Sequence, residues 1–300
     1  MTKTLRFKIV DALYLFCMVL PFLAVMALKV CFYPLSEGIN VTGALVFFTL
    51  PLPFGGLPIS EAQVNSIAVL LAVLFLCLYI THGLRPEGGT KRQLIAELIV
   101  TKARELVLGN MGDRFAGFVP FVAAIMALSA FSSLSSLLGL YPATSDINVT
   151  AGWAVLVFIL ITYYKLKGGV GNYLKGYTEP IPLFTPLNVI GELATPVSMA
   201  FRHYGNVLSG VAISALISAA LQGLSRMVLG WLPGFLGEIP FLQIGLPAVL
   251  SLYFDLFSSI LQAFIFAMLT MLYIANGFPE EQYLARVAKK QAKKAAKTSK

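Results

Sequence analysis

The stretch 195–210, TPVSMAFRHYGNVLSG, places an arginine, Arg202, near the middle of a long apolar run. From Leu187 to Ser225 the only other formal charge is Glu192. A cation at bilayer depth costs at least roughly 2.5–3.5 kcal/mol even on the lenient insertion scale. Snorkelling does not relieve it, because water lies more than a dozen residues away on either side, at about 1.5 Å of rise each. Arg202 is therefore the first candidate for chemistry. On the same helix Thr195, Ser198, Arg202, Asn206 and Ser209 recur at spacings of three or four and share one stripe. Asn188 extends that stripe if the helix continues past Pro196. The last apolar segment carries a second stripe of Asp255, Ser258, Ser259 and Gln262.

Buried ionisable groups in membranes face a bundle interior or a watery cavity, and two polar stripes on neighbouring helices can line one. Two readings follow from the residues. Either the stripes conduct or bind an ion, or Arg202 and Asp255 form a static pair that locks two helices. His203 lies about 100° around the helix from Arg202 and reads as a packing residue. Gly210, Ser214 and Ser218, four apart, read as a seam of small residues for close helix packing.

The elements that carry these residues are membrane spans. Hydrophobic residues are 58% of the 300 and charged residues 12%, against about 25% charged in a soluble domain; mean hydropathy is +0.81. Residues 1–33 open with Lys3, Arg6 and Lys8 and run apolar over 12–28, longer than a signal-peptide core, so a retained N-terminal transmembrane helix is expected. Residues 34–61 are rich in Pro and Gly, with a β-like run at 44–50 and a turn at 53–56, and read as an extracytoplasmic loop. A span at 62–81 is followed by an amphipathic helix over 91–108, with Gln93, Glu97, Thr101 and Arg104 opposite Ile95, Ile99, Ala103 and Leu106; such a helix lies in the interface. Further spans cover 115–140 and the stretch ending at Tyr164, with a polar turn at Asp146 between them and a Gly-rich loop bearing Lys165, Lys167 and Lys175 after them. The Arg202 segment begins near Pro186, a loop covers 231–240, and the final segment covers 246–276 with Asp255 as its one charge. The last two segments exceed the roughly 20 residues of an upright crossing and are expected to tilt. The predicted fold is an all-α integral membrane protein of about six spans plus one interfacial helix.

Six spans put both termini on one side. Setting Arg202 aside, 19 of the remaining 21 lysines and arginines fall on that side, with only Lys29 and Arg226 opposite. The positive-inside rule makes the termini cytoplasmic. The tail 281–300, with seven cations over 286–300, reads as a solvated, lipid-facing end and not as a nucleic-acid arm. No phosphate-cradling GxxxxGK[ST], no HExxH and no nucleophile–base pair occurs. Cys17, Cys31 and Cys77 show neither metal nor disulfide spacing, and His82 and His203 are the only histidines. No cofactor or metal is expected, and chemistry driven by nucleotide must reside on a partner.

PVSMAFRHYGNVLSG followed by FDLFSSILQAFIFAMLTMLYI resembles the last two helices of subunit a of rotary F-type ATP synthases. The resemblance extends upstream through PLNVIGELATP, SDINVT and the amphipathic helix, over roughly residues 60–280. It implies a non-catalytic stator subunit beside a ring of c subunits, held by a b-subunit peripheral stalk among the remaining synthase subunits in the lipid bilayer of a bacterial plasma membrane. Two offset half-channels would meet at Arg202, which strips the ion from each passing ring carboxylate and blocks a direct leak. Asn206 and Gln262 match the family's asparagine and glutamine, Asp255 stands where the family usually has a histidine or acid on the outer ion path, and Glu192 suits the exit path. Three departures stand out, one of them a basic tail longer than the family's. Val211 occupies a position that is ionisable in many members, and the helix within 1–33 is additional to the usual five spans. The competing reading is a secondary transporter or channel built on an Arg202–Asp255 pair; the absence of a repeat and of mirrored broken helices speaks against it.

Overall fold

The computed structural model describes residues 3–32, 43–51, 56–85, 89–178, 181–230 and 245–298. Six of its helical segments are long and apolar enough to cross a membrane: Phe7–Cys31, Glu61–Thr81, Asp113–Leu138, Ile147–Leu166, Pro182–Leu229 and Leu252–Gly277. They lie within helices α1 (Lys3–Phe32), α2 (Glu61–Thr81), α4 (Val119–Leu134), α5 (Ile147–Leu166), α7 (Thr185–Leu229) and α9 (Ser259–Gly277) with their 3-10 and π extensions. Helix α3 (Lys91–Met111) precedes the third span, α6 (Val170–Thr178) follows the fourth, α8 (Leu246–Ser251) leads into the last, and α10 (Glu280–Thr298) closes the chain.

Local chemistry sets several of these boundaries. Strand β1 (Val46–Leu50) pairs antiparallel with β2 (Leu57–Ser60), Phe48 opposite Ile59 and Leu50 opposite Leu57. The hairpin hands directly to α2, whose Glu61 N–H donates to the Leu45 carbonyl at 2.7 Å. The Gln63 side chain accepts from the Ser60 N–H at 3.1 Å, satisfying a donor that the first turn leaves free. Asp146 caps α5 by accepting from the Asn148 N–H at 2.9 Å. Gly112, at φ 83°, ends α3 and swings the chain into the 3-10 entry of the third span, a conformation only glycine adopts cheaply.

The main core joins α3, α4, α5, α7 and α9 through Val107, Val122, Val157, Met199, Phe266 and Met271, among others. At one end Phe115, Phe118, Tyr164 and Phe278 form a cluster of edge-to-face pairs, with Phe115–Tyr164 tilted, and centroids 5.3–6.2 Å apart, the edge-to-face pairs adding about 0.5–1.5 kcal/mol each beyond burial. The first half of α3 leaves Leu94, Ile95, Leu98 and Ile99 exposed while its second half buries Ala103, Val107 and Met111. That uncovered apolar face is what an interfacial helix turns to lipid.

Helix α1 packs on α2 and is clipped at both ends. Lys29 Nζ lies 3.0 Å from Glu61 Oε1 and donates to the Gly139 carbonyl, while Glu61 also accepts from the Tyr141 N–H at 3.1 Å. At the other end Asp11 holds His82 at 2.8 Å and Arg92 at 3.0 Å, and Arg92 donates to the His82 carbonyl.

Three elements differ from the sequence reading. The Gly-rich stretch after Lys167 contains helix α6, and the basic tail is helical rather than merely solvated. The last segment is not one regular helix, because Leu252–Ser258 is π-helical and carries Asp255. The expected turn at 53–56, except Gly56, and the loop at 231–240 lie outside the described residues. Pro196 does not stop α7, which runs 45 residues, about 67 Å; a bilayer core of about 30 Å then requires tilt.

Candidate functional site

Two contacts fix how α7 meets the last span. Asn206 Nδ2 donates to Ser258 Oγ at 2.9 Å. Four residues on, a Cβ at Gly210 would lie 3.2 Å from the Phe254 side chain, so that glycine permits the approach. Numbers rise along one partner as they fall along the other, so the pair is antiparallel in a single register. Arg202 then stands level with Gln262, and Ser209 with Asp255. One member of each polar stripe is thus in contact along this seam, Asn206 with Ser258.

On that seam Arg202 is exposed, flanked on its helix by exposed Val197 and Phe201. Gln262 is buried at 4% exposure. Beneath the arginine, His203 is fully buried, with Ser129 Oγ 3.2 Å from its Nε2 and the rings of Trp153 and Phe266 set edge-on at 5.9 and 5.3 Å. It is a packing residue, as its place on the helix predicts.

Asp255 is half-buried in the π turn. In the register above it lies seven residues from the level of Arg202, about 10 Å along the axes. Among the described residues no ion pair joins Arg202 to Asp255, so the static lock and the transporter reading built on that pair lose their geometric basis. Single π turns inside α-helices concentrate at functional sites; this one reorients the backbone where the carboxylate sits. Val211, next to the Gly210 contact, leaves this stretch of α7 without an ionisable side chain.

Glu192 lies ten residues the other way, about 15 Å from the level of Arg202. Its Oε1 accepts from Lys165 Nζ at 3.0 Å and from the Tyr173 hydroxyl at 3.1 Å; its Oε2 accepts from the Tyr177 hydroxyl. The two tyrosine oxygens are 2.6 Å apart. Burial, with the neighbouring carboxylate, pushes both phenols above the ordinary tyrosine range, so they remain donors. The sequence reading named Lys165 only as a loop cation and passed over Tyr173 and Tyr177, because the Gly-rich stretch looked like a loop. The findable signal was the i, i+4 spacing of the two tyrosines, which puts both hydroxyls on one face of a helix.

At the opposite end a cavity of about 300 Å³ opens between the hairpin, the start of α5 and α7, lined by Ser60, Gln63, Tyr141, Ser145, Asp146 and Tyr204 among others. Burial and the nearby Asp146 carboxylate raise the Tyr141 phenol. Along α7 one polar cavity thus reaches Glu192, ten residues before Arg202, and the other reaches Tyr204, two residues after it.

The family model described as ATP synthase A chain matches residues 64–275. The chain is 32% identical over 225 residues to the ATP synthase subunit a of Acidothermus cellulolyticus, covering 72% of this chain and 75% of that protein. It is 32% identical to that of Bacillus pumilus over 242 residues, 76% of this chain and 96% of the relative. A sodium-ion-specific ATP synthase subunit a from Propionigenium modestum is 35% identical over 142 residues, 47% of this chain and 42% of that one. With more than two thirds of its length matched to that model and the same helices carrying the arginine seam, the chain belongs to the ATP synthase A chain family.

Proposed function

We propose that this chain is the ion-translocating stator subunit of an ATP synthase membrane sector, in which Arg202 couples ion flow to rotation of a ring of c subunits. One observation carries the reading: an exposed guanidinium on an apolar helix face at mid-span, level with buried Gln262 and unpaired with Asp255. A cation so placed is stable only if a partner brings an anion to it. A ring carboxylate arriving with its ion meets Arg202, whose charge favours the ionised form and lowers such a group by about 1–3 pKa units. The ion is released, and the bare carboxylate can move on only after reloading.

Asp255 serves the half-channel toward the outer side and Glu192 the half-channel toward the side of the termini, with Asn206 holding the seam and Gln262 placed against the arginine. Their separation along the seam of α7 with the last segment keeps the two paths offset, and Arg202 stands between them as the barrier to direct leak. The lysine and arginine bias supports cytoplasmic termini in a bacterial plasma membrane. A b-subunit stalk and the remaining synthase subunits complete the complex.

The test is Arg202→Ala in membrane vesicles, following ATP-driven acidification, then passive proton leak after removal of the soluble head. Lost pumping with normal assembly and a raised leak are expected. Pumping at the wild-type rate would overturn the coupling role.

A further inference from the structure

Two cavities meet at the Glu192 cluster. The larger, about 570 Å³, opens beside α6 and is lined by Asn172, Tyr173, Tyr177 and Gln282. The smaller, about 210 Å³, lies deeper against Phe158, Ile161 and Tyr273. Lys165, Glu192, Thr195, Asn276 and Gly277 border both, so the Lys165–Glu192 pair is part of the wall between them. The pair is partly shielded, with side-chain exposures of 31% for Lys165 and 12% for Glu192.

We propose that Lys165, Tyr173 and Tyr177 clamp Glu192 into a gate that closes the exit half-channel and passes protons while rejecting metal cations. The inference rests on the motor reading above and assigns the selectivity of its exit side.

The chemistry follows from the donor count. A carboxylate offers about four acceptor sites, and three are taken by donors from Lys165, Tyr173 and Tyr177. A metal cation needs several oxygens and would have to displace those donors beside the Lys165 ammonium charge. A proton needs one lone pair. Hydronium in the inner cavity protonates Glu192, leaving water and a neutral acid. The attraction to Lys165 lapses; the acid then returns its proton to water in the outer vestibule, and the ion pair re-forms. Charge and atoms balance, and only Lys165 need move. The tyrosines sit on α6 and Lys165 at the end of α5, so the clamp ties the first turns of α7 to both elements.

The experiment reads access to the inner cavity in the assembled complex. With Cys17, Cys31 and Cys77 replaced by serine, Phe158→Cys places a thiol in that cavity. Everted vesicles are treated with the cationic 2-(trimethylammonio)ethyl methanethiosulfonate or with neutral methyl methanethiosulfonate. Lys165→Gln is expected to speed the cationic reagent on the order of tenfold while leaving the neutral one within about twofold. Tyr177→Phe, which loosens the clamp but keeps the charge, is expected to speed the neutral reagent more than the cationic one. An unchanged cationic rate in Lys165→Gln, or equal acceleration of both reagents in both variants, would overturn the gate. Because labelling does not require pumping, its failure is distinct from failure of the Arg202 test.

Discussion

Gly210 is the position at which the register of Arg202 is most open to a quantitative challenge. A methyl group there would lie 3.2 Å from the Cβ and ring of Phe254, a few tenths of an ångström inside ordinary contact. Gly210→Ala is therefore accommodated by a small shift. Gly210→Leu adds three further carbons to the same gap, an overpacking that costs about 1–3 kcal/mol if the helices hold. If they part instead, a separation of about 1 Å carries the 2.9 Å Asn206–Ser258 bond beyond hydrogen-bonding range. It also shifts Arg202 relative to the last span, and misplacements of that size can lower a rate about 100-fold. Gly223 supplies the control on the same helix, since a Cβ there meets nothing within 4 Å. ATP-driven acidification should fall slightly for Gly210→Ala, by at least about tenfold for Gly210→Leu, and not for Gly223→Leu. A Gly210→Leu complex that assembles and pumps like Gly223→Leu would refute the register argument.

Two further outcomes are expected. Lys29→Met strands Glu61, which is 1% exposed, and should destabilise the α1–α2 unit by about 3 kcal/mol, near the low end for a broken buried pair because Lys29 is itself 36% exposed; Lys29→Met with Glu61→Gln should recover most of that in the thermal midpoint of the detergent-solubilised complex, and no recovery would sink the pairing. Tyr173 and Tyr177 have raised folded-state values, from burial first and the Glu192 carboxylate second, so their neutral, donating forms persist as pH rises through the ordinary tyrosine value of about 10; tyrosinate absorbance should show these phenols ionising at lower pH in Glu192→Gln than in the native chain, with burial still holding them above the ordinary value, and identical curves would contradict the clamp.

The sequence alone determined the membrane class, the number of long apolar helices and the candidacy of Arg202, because each rests on one-dimensional facts. Run length against bilayer thickness decides a span, and a lone cation amid apolar residues stands out whatever surrounds it. The stripe of Thr195, Ser198, Arg202 and Asn206 was legible for the same reason: helical period is local. The tertiary structure decided what depends on a second element. That Gln262, and not Asp255, stands level with Arg202 comes from the Asn206–Ser258 and Gly210–Phe254 contacts, and no periodicity within α7 encodes the register of its neighbour. The π turn under Asp255 is a backbone choice that the apolar pattern of the last segment leaves open. Glu192 acquires three donors only because α6 forms from a glycine-rich stretch and returns two tyrosines to it, and the role of Lys165 exists only where the end of α5 meets the start of α7. Helix existence follows from chain-local energetics, whereas the chemistry of a buried charge follows from whichever side chains packing brings within about 3 Å of it.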